Sequence, residues 1–157
     1  MITVRVYGIL INDVNEILVS DELIRGMRIT KFCGGGLEEG EGTRDCLARE
    51  FIEEMNLKVS VGEHIYTTDY FQPSFFREGD QILSIYYKVK ALEPITAKLS
   101  NIAFDFDDEQ IVKYETAKQI ENFRFINMRD FGENCMTLPI DKIVAQKILE
   151  EWTAVQF

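Results

Sequence analysis

Short apolar runs that end at turn-forming residues follow one another along the first part of the chain. Ile2–Leu10 is rich in β-branched residues and alternates in part between apolar and polar positions, which predicts a strand. Glu16–Val19 follows the turn-forming pair Asn12-Asp13, so we expect a pair of strands joined by a turn. Met27–Cys33 predicts a third strand, which ends at a run of glycines.

The apolar spacing then changes to that of an amphipathic helix, Thr43–Met55. Its apolar stripe consists of Leu47, Ala48, Phe51, Ile52 and Met55. Thr43 is the predicted N-cap, and Asp45 in the first turn suits the helix dipole. The side of the helix opposite the stripe carries Glu50, Glu53 and Glu54.

The later segments predict further strands and a closing helix. The strand segments are Leu57–Tyr70, with candidates around Val59 and Tyr66, then Gln81–Val89 and Phe123–Met128. The closing helix, Ile140–Trp152, is expected to follow Leu138-Pro139. Ala91–Gln119 is polar, and we expect a long loop, an irregular strand pair, or both. Together these patterns predict a mixed α/β fold in a single domain, 1–157, with a sheet between helices.

Composition and charge narrow the classes of partner. The chain has 157 residues, of which 46% are hydrophobic and 28% charged, as in an ordinary globular protein. A formal net charge of −10 repels a long nucleic acid. No segment is long and apolar enough to span a bilayer and no signal peptide is recognisable, so we expect a cytoplasmic protein without a membrane partner. Cys33, Cys46 and Cys135 lie in no metal-binding spacing, which indicates reduced thiols.

The three glutamates of the predicted helix raise a chemical question. At spacings i, i+3 and i+4 they repel one another by roughly a few tenths of a kcal/mol per pair unless a positive group lies between them. Hard divalent cations such as Mg²⁺ and Mn²⁺ take oxygen ligands of this kind. A solvated acidic face is the alternative, and the three residues alone do not decide between them.

The spacing of the whole segment 35–57 resembles the Nudix box, G-x5-E-x7-R-E-U-x-E-E-x-G-U, in which U is a bulky aliphatic or aromatic residue. The matching positions are Gly35, Glu41, Arg49, Glu50, Phe51, Glu53, Glu54 and Leu57. Asn56 replaces the glycine after the helix, and asparagine is the next most tolerant residue of a left-handed C-cap. Outside the box, the resemblance includes segments 29–35, 120–131 and 137–144.

This resemblance implies an α/β/α sandwich with a mixed sheet, and hydrolysis of a diphosphate linkage in a nucleoside diphosphate joined to another group, a small-molecule nucleotide. It implies Mg²⁺, or alternatively Mn²⁺, as the cofactor. The metal ligands it implies are Glu50, Glu53, Glu54 and a carbonyl near Gly34, with Glu53 and Glu54 also catalytic. Gly35, Glu41 and Arg49 match structural positions that orient those ligands.

The resemblance does not determine the general base or the phosphate-binding residues. Glu121, just before the late strand, is the predicted general base, and Glu109 and Glu115 are alternatives. Lys31 and Arg28 are predicted to contact phosphates.

Two rival functions stay open on sequence grounds. One is a non-catalytic module on the same fold that senses a nucleotide or sugar-nucleotide. The other is an isomerase of isoprenoid diphosphates, which needs a reactive cysteine, and Cys33 beside the glycines is its candidate. A homodimer is also open, since symmetric dimers are the commonest oligomers.

Overall fold

A computed structural model of the chain describes residues 1–156, which form two compact units. The first unit comprises residues 1–11 and 33–97, and the second comprises residues 12–32 and those from 98 onward. In chain order the elements are β1 (Ile2–Leu10), β2 (Glu16–Ile24), β3 (Met27–Lys31), β4 (Cys33–Gly36), α1 (Thr43–Met55), β5 (Val59–Thr67), β6 (Gln81–Ala91), α2 (Asp108–Ala117), β7 (Gln119–Asn127) and α3 (Pro139–Gln156). A short 3₁₀ turn, Glu133–Cys135, precedes α3. The predicted mixed α/β class is confirmed.

The first unit is built on a four-stranded mixed sheet in the order β4-β1-β6-β5. Strand β1 runs parallel to β6 and antiparallel to β4, and β5 runs antiparallel to β6. The inner strand β1 is buried from Val6 to Leu10, as expected for a strand paired on both sides. Helix α1 packs on one face of this sheet, where a side chain at Gly8 would meet the ring of Phe51.

The second unit contains a three-stranded antiparallel sheet in the order β3-β2-β7, together with α2 and α3. Its central strand β2 buries Ile17, Leu18 and Val19 but also the polar run 20–22. The fully buried Asp21 accepts both a bidentate ion pair from Arg124 and a hydrogen bond from the Thr30 hydroxyl at 2.7 Å. Arg124 of β7 therefore holds β7 against β2. It also supplies the partner that the buried Asp21 carboxylate needs.

Several strand predictions need correction. The runs Ile2–Leu10 and Glu16–Val19 form two strands separated by a turn, as predicted, but β1 and β2 belong to different sheets and do not pair. Met27–Cys33 is not one strand: Lys31 ends β3, which pairs with β2, and Cys33 begins β4, which pairs with β1. Leu57–Tyr70 holds one irregular strand, β5, whose register shifts on both sides of His64. A run of apolar residues indicates that a strand is buried, but it does not indicate with which neighbouring strand that strand pairs.

The prediction for Ala91–Gln119 was right only in part: residues 92–107 form the expected long loop, but residues 108–117 form helix α2. The helix has no buried residue, and its apolar residues Ile111 and Val112 are exposed, so it lacks the stripe by which a helix is recognised. In the sequence, the start of this helix is indicated by a capping box instead. The Asp107 carboxylate accepts from the Gln110 backbone N–H at 2.8 Å, and the Gln110 side chain accepts from the Asp107 N–H at 3.1 Å.

Helix α1 has the predicted bounds, but its N-cap is not the predicted Thr43. Gly42 is the N-cap, and its N–H donates to the Asp45 carboxylate at 3.3 Å. Thr43 is already helical, and its hydroxyl shares a hydrogen bond with the Tyr87 hydroxyl at 2.7 Å instead of capping. Ile52, predicted in the apolar stripe, is exposed, and Cys46 is buried in addition to the stripe.

The end of α1 confirms the expected left-handed turn at Asn56, which has φ 49° and ψ 41°. Its N–H donates to the Ile52 carbonyl at 2.9 Å and the Leu57 N–H donates to the Phe51 carbonyl at 3.3 Å. The bond from Asn56 to Ile52 is the five-to-one bond of the αL C-cap motif. At the other end of the chain, α3 begins at Pro139, one residue before the predicted start, and extends to Gln156. Within residues 1–156 we find no helix with the length and apolar character needed to cross a membrane.

The Asn56 turn makes a prediction about stability. Replacing Asn56 with Ala should lower the free energy of unfolding by about 1 kcal/mol, because an ordinary side chain is strained at this φ. Asn56→Gly should be at least as stable as the wild type. Urea unfolding followed by circular dichroism measures both, with the exposed Asn101→Ala as the control. Equal stability of all four proteins would contradict the strain argument.

Candidate active site

Two glycines of β4 allow an unusually close approach of backbone and side chains. Gly34 has φ +153°, and a Cβ there would lie 2.0 Å from the Val6 carbonyl oxygen of β1. A Cβ at Gly35 would lie 2.4 Å from both the carboxyl carbon and Oε1 of Glu50. The contact at Gly34 is with backbone and excludes a larger residue, whereas a larger residue at Gly35 would displace the Glu50 carboxylate. The Glu50 carboxylate therefore sits directly on the backbone of β4.

The Arg49 guanidinium connects the loop, the strand and the helix. Its Nε and Nη2 donate to the two carboxylate oxygens of Glu41, at 2.9 and 2.7 Å. Its Nη1 donates to Glu50 and to Glu53, each at 3.1 Å. Its Nη2 also donates to the Gly36 carbonyl at 3.1 Å, a contact that the sequence did not indicate. One cation thus gathers three carboxylates beside the end of β4.

A model of the NUDIX domain family matches residues 1–134 of this sequence. The chain belongs to the Nudix family. Membership confirms the predicted family and the predicted enzyme class, a Nudix-type pyrophosphohydrolase. Nudix hydrolases generally use divalent metals and act on small nucleotide-linked substrates.

Solved structures agree with the family assignment at the level of fold. The E. coli ORF135 protein is 18% identical with a TM-score of 0.66, over 99% of this chain and 91% of that one. An ADP-ribose pyrophosphatase from Streptococcus suis is 12% identical with a TM-score of 0.58, over 96% and 91%. A UDP-X diphosphatase is 17% identical with a TM-score of 0.61, over 99% of this chain and 64% of that one. A comparison with curated protein sequences finds no match.

The ion pairs of the Nudix box set its charge state. The hydrogen bonds from Arg49 hold the pKa of the Glu41 carboxyl at about 2, below its usual 4.5, and the Glu38 backbone N–H contributes. The same bond raises the pKa of Arg49. Burial, reinforced by Glu41, raises the pKa of the Cys46 thiol to about 12. Glu41 and Arg49 therefore stay ionised and Cys46 stays a neutral thiol at neutral pH.

The box residues fit a hard divalent cation by the chemistry of their donors. Glu50, Glu53 and Glu54 offer only carboxylate oxygens, and the missing Cβ of Gly35 leaves the Glu50 carboxylate open to the strand backbone. Among residues 1–156, no three or more His, Cys, Asp or Glu side chains are arranged so that they could hold an ion as they stand. Arg49 bonds to Glu50 and Glu53 instead, so metal binding by these residues stays a prediction.

The remaining predicted site residues lie in the second unit. Lys31 and Ser20 are paired in register, and the Ser20 hydroxyl donates to the Glu121 carboxylate at 2.7 Å. Ser20, which the sequence analysis did not single out, thus links the positions of Lys31 and Glu121 on one face of the sheet. Arg28, an odd number of residues from Lys31, points to the opposite face, and its guanidinium lies 5.8 Å from the Phe104 ring centroid. The proposed base and phosphate roles of these residues stay predictions.

The low pKa of Glu41 predicts an acid-dependent loss of stability. Because the pKa is lowered in the folded state, the stabilisation is complete above about pH 4.5 and disappears as the pH falls towards about 2. Urea unfolding of the wild type and Glu41→Gln should therefore differ most above pH 4.5 and converge near pH 2. The exposed neighbour Glu39→Gln is the control. A constant difference across this range would show that the ionised Glu41 carboxylate does not stabilise the fold.

Proposed function

We propose that this chain hydrolyses a diphosphate linkage in a nucleoside diphosphate joined to a second group, with Mg²⁺ or Mn²⁺ as the cofactor. One observation carries the proposal above all. The Glu50 carboxylate is packed on the Gly35 backbone and tied by Arg49 to the Glu41 and Glu53 carboxylates. An isolated acidic surface needs no such arrangement, because water solvates exposed carboxylates without help.

The proposed ligands are Glu50, Glu53, Glu54 and a carbonyl near Gly34. When bound, the divalent cation neutralises phosphate oxygens and acidifies water, which are the two needs of phosphoanhydride hydrolysis. Arg49 keeps Glu50 and Glu53 close together despite their like charges. Glu41, ionised through its bond to Arg49, fixes that guanidinium in turn.

The proposed reaction needs one proton acceptor. Water attacks one phosphorus of the diphosphate, the bridging P–O bond breaks, and the leaving phosphate takes the bond electrons. We propose that Glu121 accepts the proton of the attacking water. The Ser20 hydroxyl donates a hydrogen bond to the Glu121 carboxylate and orients it. A carboxylate with a fixed hydrogen-bond donor presents its second oxygen in a defined direction, which suits this role.

The substrate class is proposed from the family and from the described relatives. The Streptococcus suis protein is described as an ADP-ribose pyrophosphatase and another as a UDP-X diphosphatase. We extend this class to the chain, with ADP-ribose, nucleotide sugars and nucleoside triphosphates as the compounds to be tested. The requirement that a cation offset the net charge of −10 holds for each of them.

The two rival functions have less support. The three carboxylates that a sensor module would not need are all present in the box. Cys33, the candidate for an isomerase, is 2% exposed, and the Cys46 thiol has a raised pKa. Thiols in such surroundings are typical of structural cysteines.

Glu53→Gln tests the proposal. Release of nucleotide and phosphate products from ADP-ribose, nucleotide sugars, dinucleoside polyphosphates and nucleoside triphosphates is measured with Mg²⁺ and with Mn²⁺. We expect metal-dependent turnover of one class and a loss of at least about 100-fold in the variant, since even indirect partners of a metal cost 10–100-fold. Glu63→Gln is the matched control, because Glu63 is an exposed carboxylate of β5 that pairs with Lys88 at 3.4 Å.

Two outcomes would contradict the proposal. Turnover that Glu53→Gln leaves unchanged would remove the box carboxylates from the reaction. No turnover by the wild type, with nucleotide binding that survives the substitution, would instead support the sensor module.

A further inference from the structure

Left-handed backbone conformations of large side chains are confined to the second unit. Apart from glycines, the residues with a positive φ in the described part of the chain are Asn15, Arg25, Asn56, Phe104 and Lys118. Asparagine tolerates this conformation, whereas a larger side chain is strained in it. Arg25, Phe104 and Lys118 all belong to the second unit. Strained backbone of this kind clusters where a residue binds a ligand or takes part in a switch, so this region is a candidate for a function.

Two of these residues meet at the turn between β2 and β3. Arg25 and Gly26 form the two-residue loop of this hairpin, with φ values of +48° and +80°. The Arg25 N–H donates to the Lys118 carbonyl at 3.0 Å, and the Gly26 N–H donates to the Tyr114 hydroxyl at 2.7 Å. Lys118 is the C-cap of α2. The hairpin loop is therefore bonded to the end of this helix.

Three exposed cations lie at this junction, and we call them the basic patch: Arg25, Arg28 and Lys118. The Lys118 ammonium nitrogen lies 5.8 Å from the ring centroid of Tyr114. The Arg28 guanidinium carbon lies 5.8 Å from the ring centroid of Phe104. Cation–π attraction of this kind favours a defined position for each charge. The patch therefore combines positive charge with aromatic surface.

The cations of the basic patch have no carboxylate partner within the chain. Among residues 1–156, the structure shows no ion pair for any of the three. Two other cations of the same unit are paired, Lys98 with Asp107 at 2.9 Å and Arg124 with the buried Asp21. Three neighbouring cations without an acidic partner are unexpected in a chain with 27 acidic and 17 basic residues. An anionic partner would complement them.

The arrangement of the cations favours an extended ligand over a single ion. One cation lies in the hairpin loop, one on β3 and one at the end of α2, so they belong to three different elements. A single phosphate is typically bound by donors that converge on one point. A long nucleic acid is repelled by the net charge of −10, and this repulsion is weaker for a short acidic segment with few charges. Ile102, in the same loop as Phe104, is exposed and offers an apolar contact to such a segment.

We propose that Arg25, Arg28 and Lys118 form a docking surface for an acidic segment of a partner protein. The proposal is independent of the proposed hydrolysis. It explains why cations occupy two left-handed positions, at which asparagine or glycine would be less strained. It does not depend on the phosphate contact predicted for Arg28, which is left unchanged in the test.

Fluorescence anisotropy with a fluorescein-labelled hexaglutamate peptide tests the proposal. We expect the wild type to bind the peptide, and Arg25→Asn and Lys118→Asn each to weaken binding about two- to fivefold, the range of an exposed ion pair. Arg25→Lys should bind like the wild type, because it keeps the charge. The affinity of the wild type should fall as the salt concentration rises.

Arg25→Asn also separates a binding defect from a folding defect. Asn-Gly is the preferred pair in a two-residue hairpin loop with positive φ at both positions. This variant should therefore unfold at a higher urea concentration than the wild type, although it binds the peptide less tightly. Weaker binding together with a lower urea midpoint would assign both effects to the fold and overturn the binding role of Arg25.

Arg129→Gln is the control for net charge, because Arg129 is an exposed cation of the same unit. Equal weakening of peptide binding by Arg129→Gln and Arg25→Asn would show that only the overall charge matters, and would overturn the proposal. A wild type that does not bind hexaglutamate would also overturn it. Tighter binding of decauridylate than of hexaglutamate would assign the basic patch to a nucleic acid instead of an acidic protein segment.

Discussion

The structure of the Nudix box depends on the attraction between one guanidinium and the carboxylates around it. Glu50 and Glu53 would repel each other on one helix, and Glu41 would repel both from the loop. Arg49 offsets this repulsion with hydrogen bonds of 2.7 to 3.1 Å to all three. The same guanidinium reaches the Gly36 carbonyl, so the electrostatic interaction also fixes the helix against the strand. A lysine could not replace it, because these contacts need several donors in a fixed plane.

The close packing of β4 also requires glycines, because charge pairing alone does not make room for it. Gly34 lets β4 lie against the Val6 carbonyl, and Gly35 lets the Glu50 carboxylate rest on the strand. Asn56 closes the helix with a left-handed turn that returns the chain to β5. Backbone conformation and charge pairing therefore act on the same segment, and both are specified by residues 34–57.

Sequence predicted the parts of this protein that local patterns determine. Strand β1, helix α1 and the turn at Asn56 each follow from residues close together in the chain. The division of the strands between two sheets depends on long-range pairing, which apolar runs do not encode, so the break after Lys31 was missed. Helix α2 was missed because it buries nothing, although the Asp107–Gln110 capping box marks its start.

We propose that the carboxylates held together by Arg49 bind a divalent cation. The most direct measurement is a titration of the nucleotide-free protein with Mn²⁺, followed by the electron paramagnetic resonance of the free ion. The wild type should bind Mn²⁺, and Glu50→Gln should weaken binding by at least about 100-fold, while the exposed Glu39→Gln should bind like the wild type. Equal Mn²⁺ binding by the wild type and Glu50→Gln, or none by either, would contradict the account.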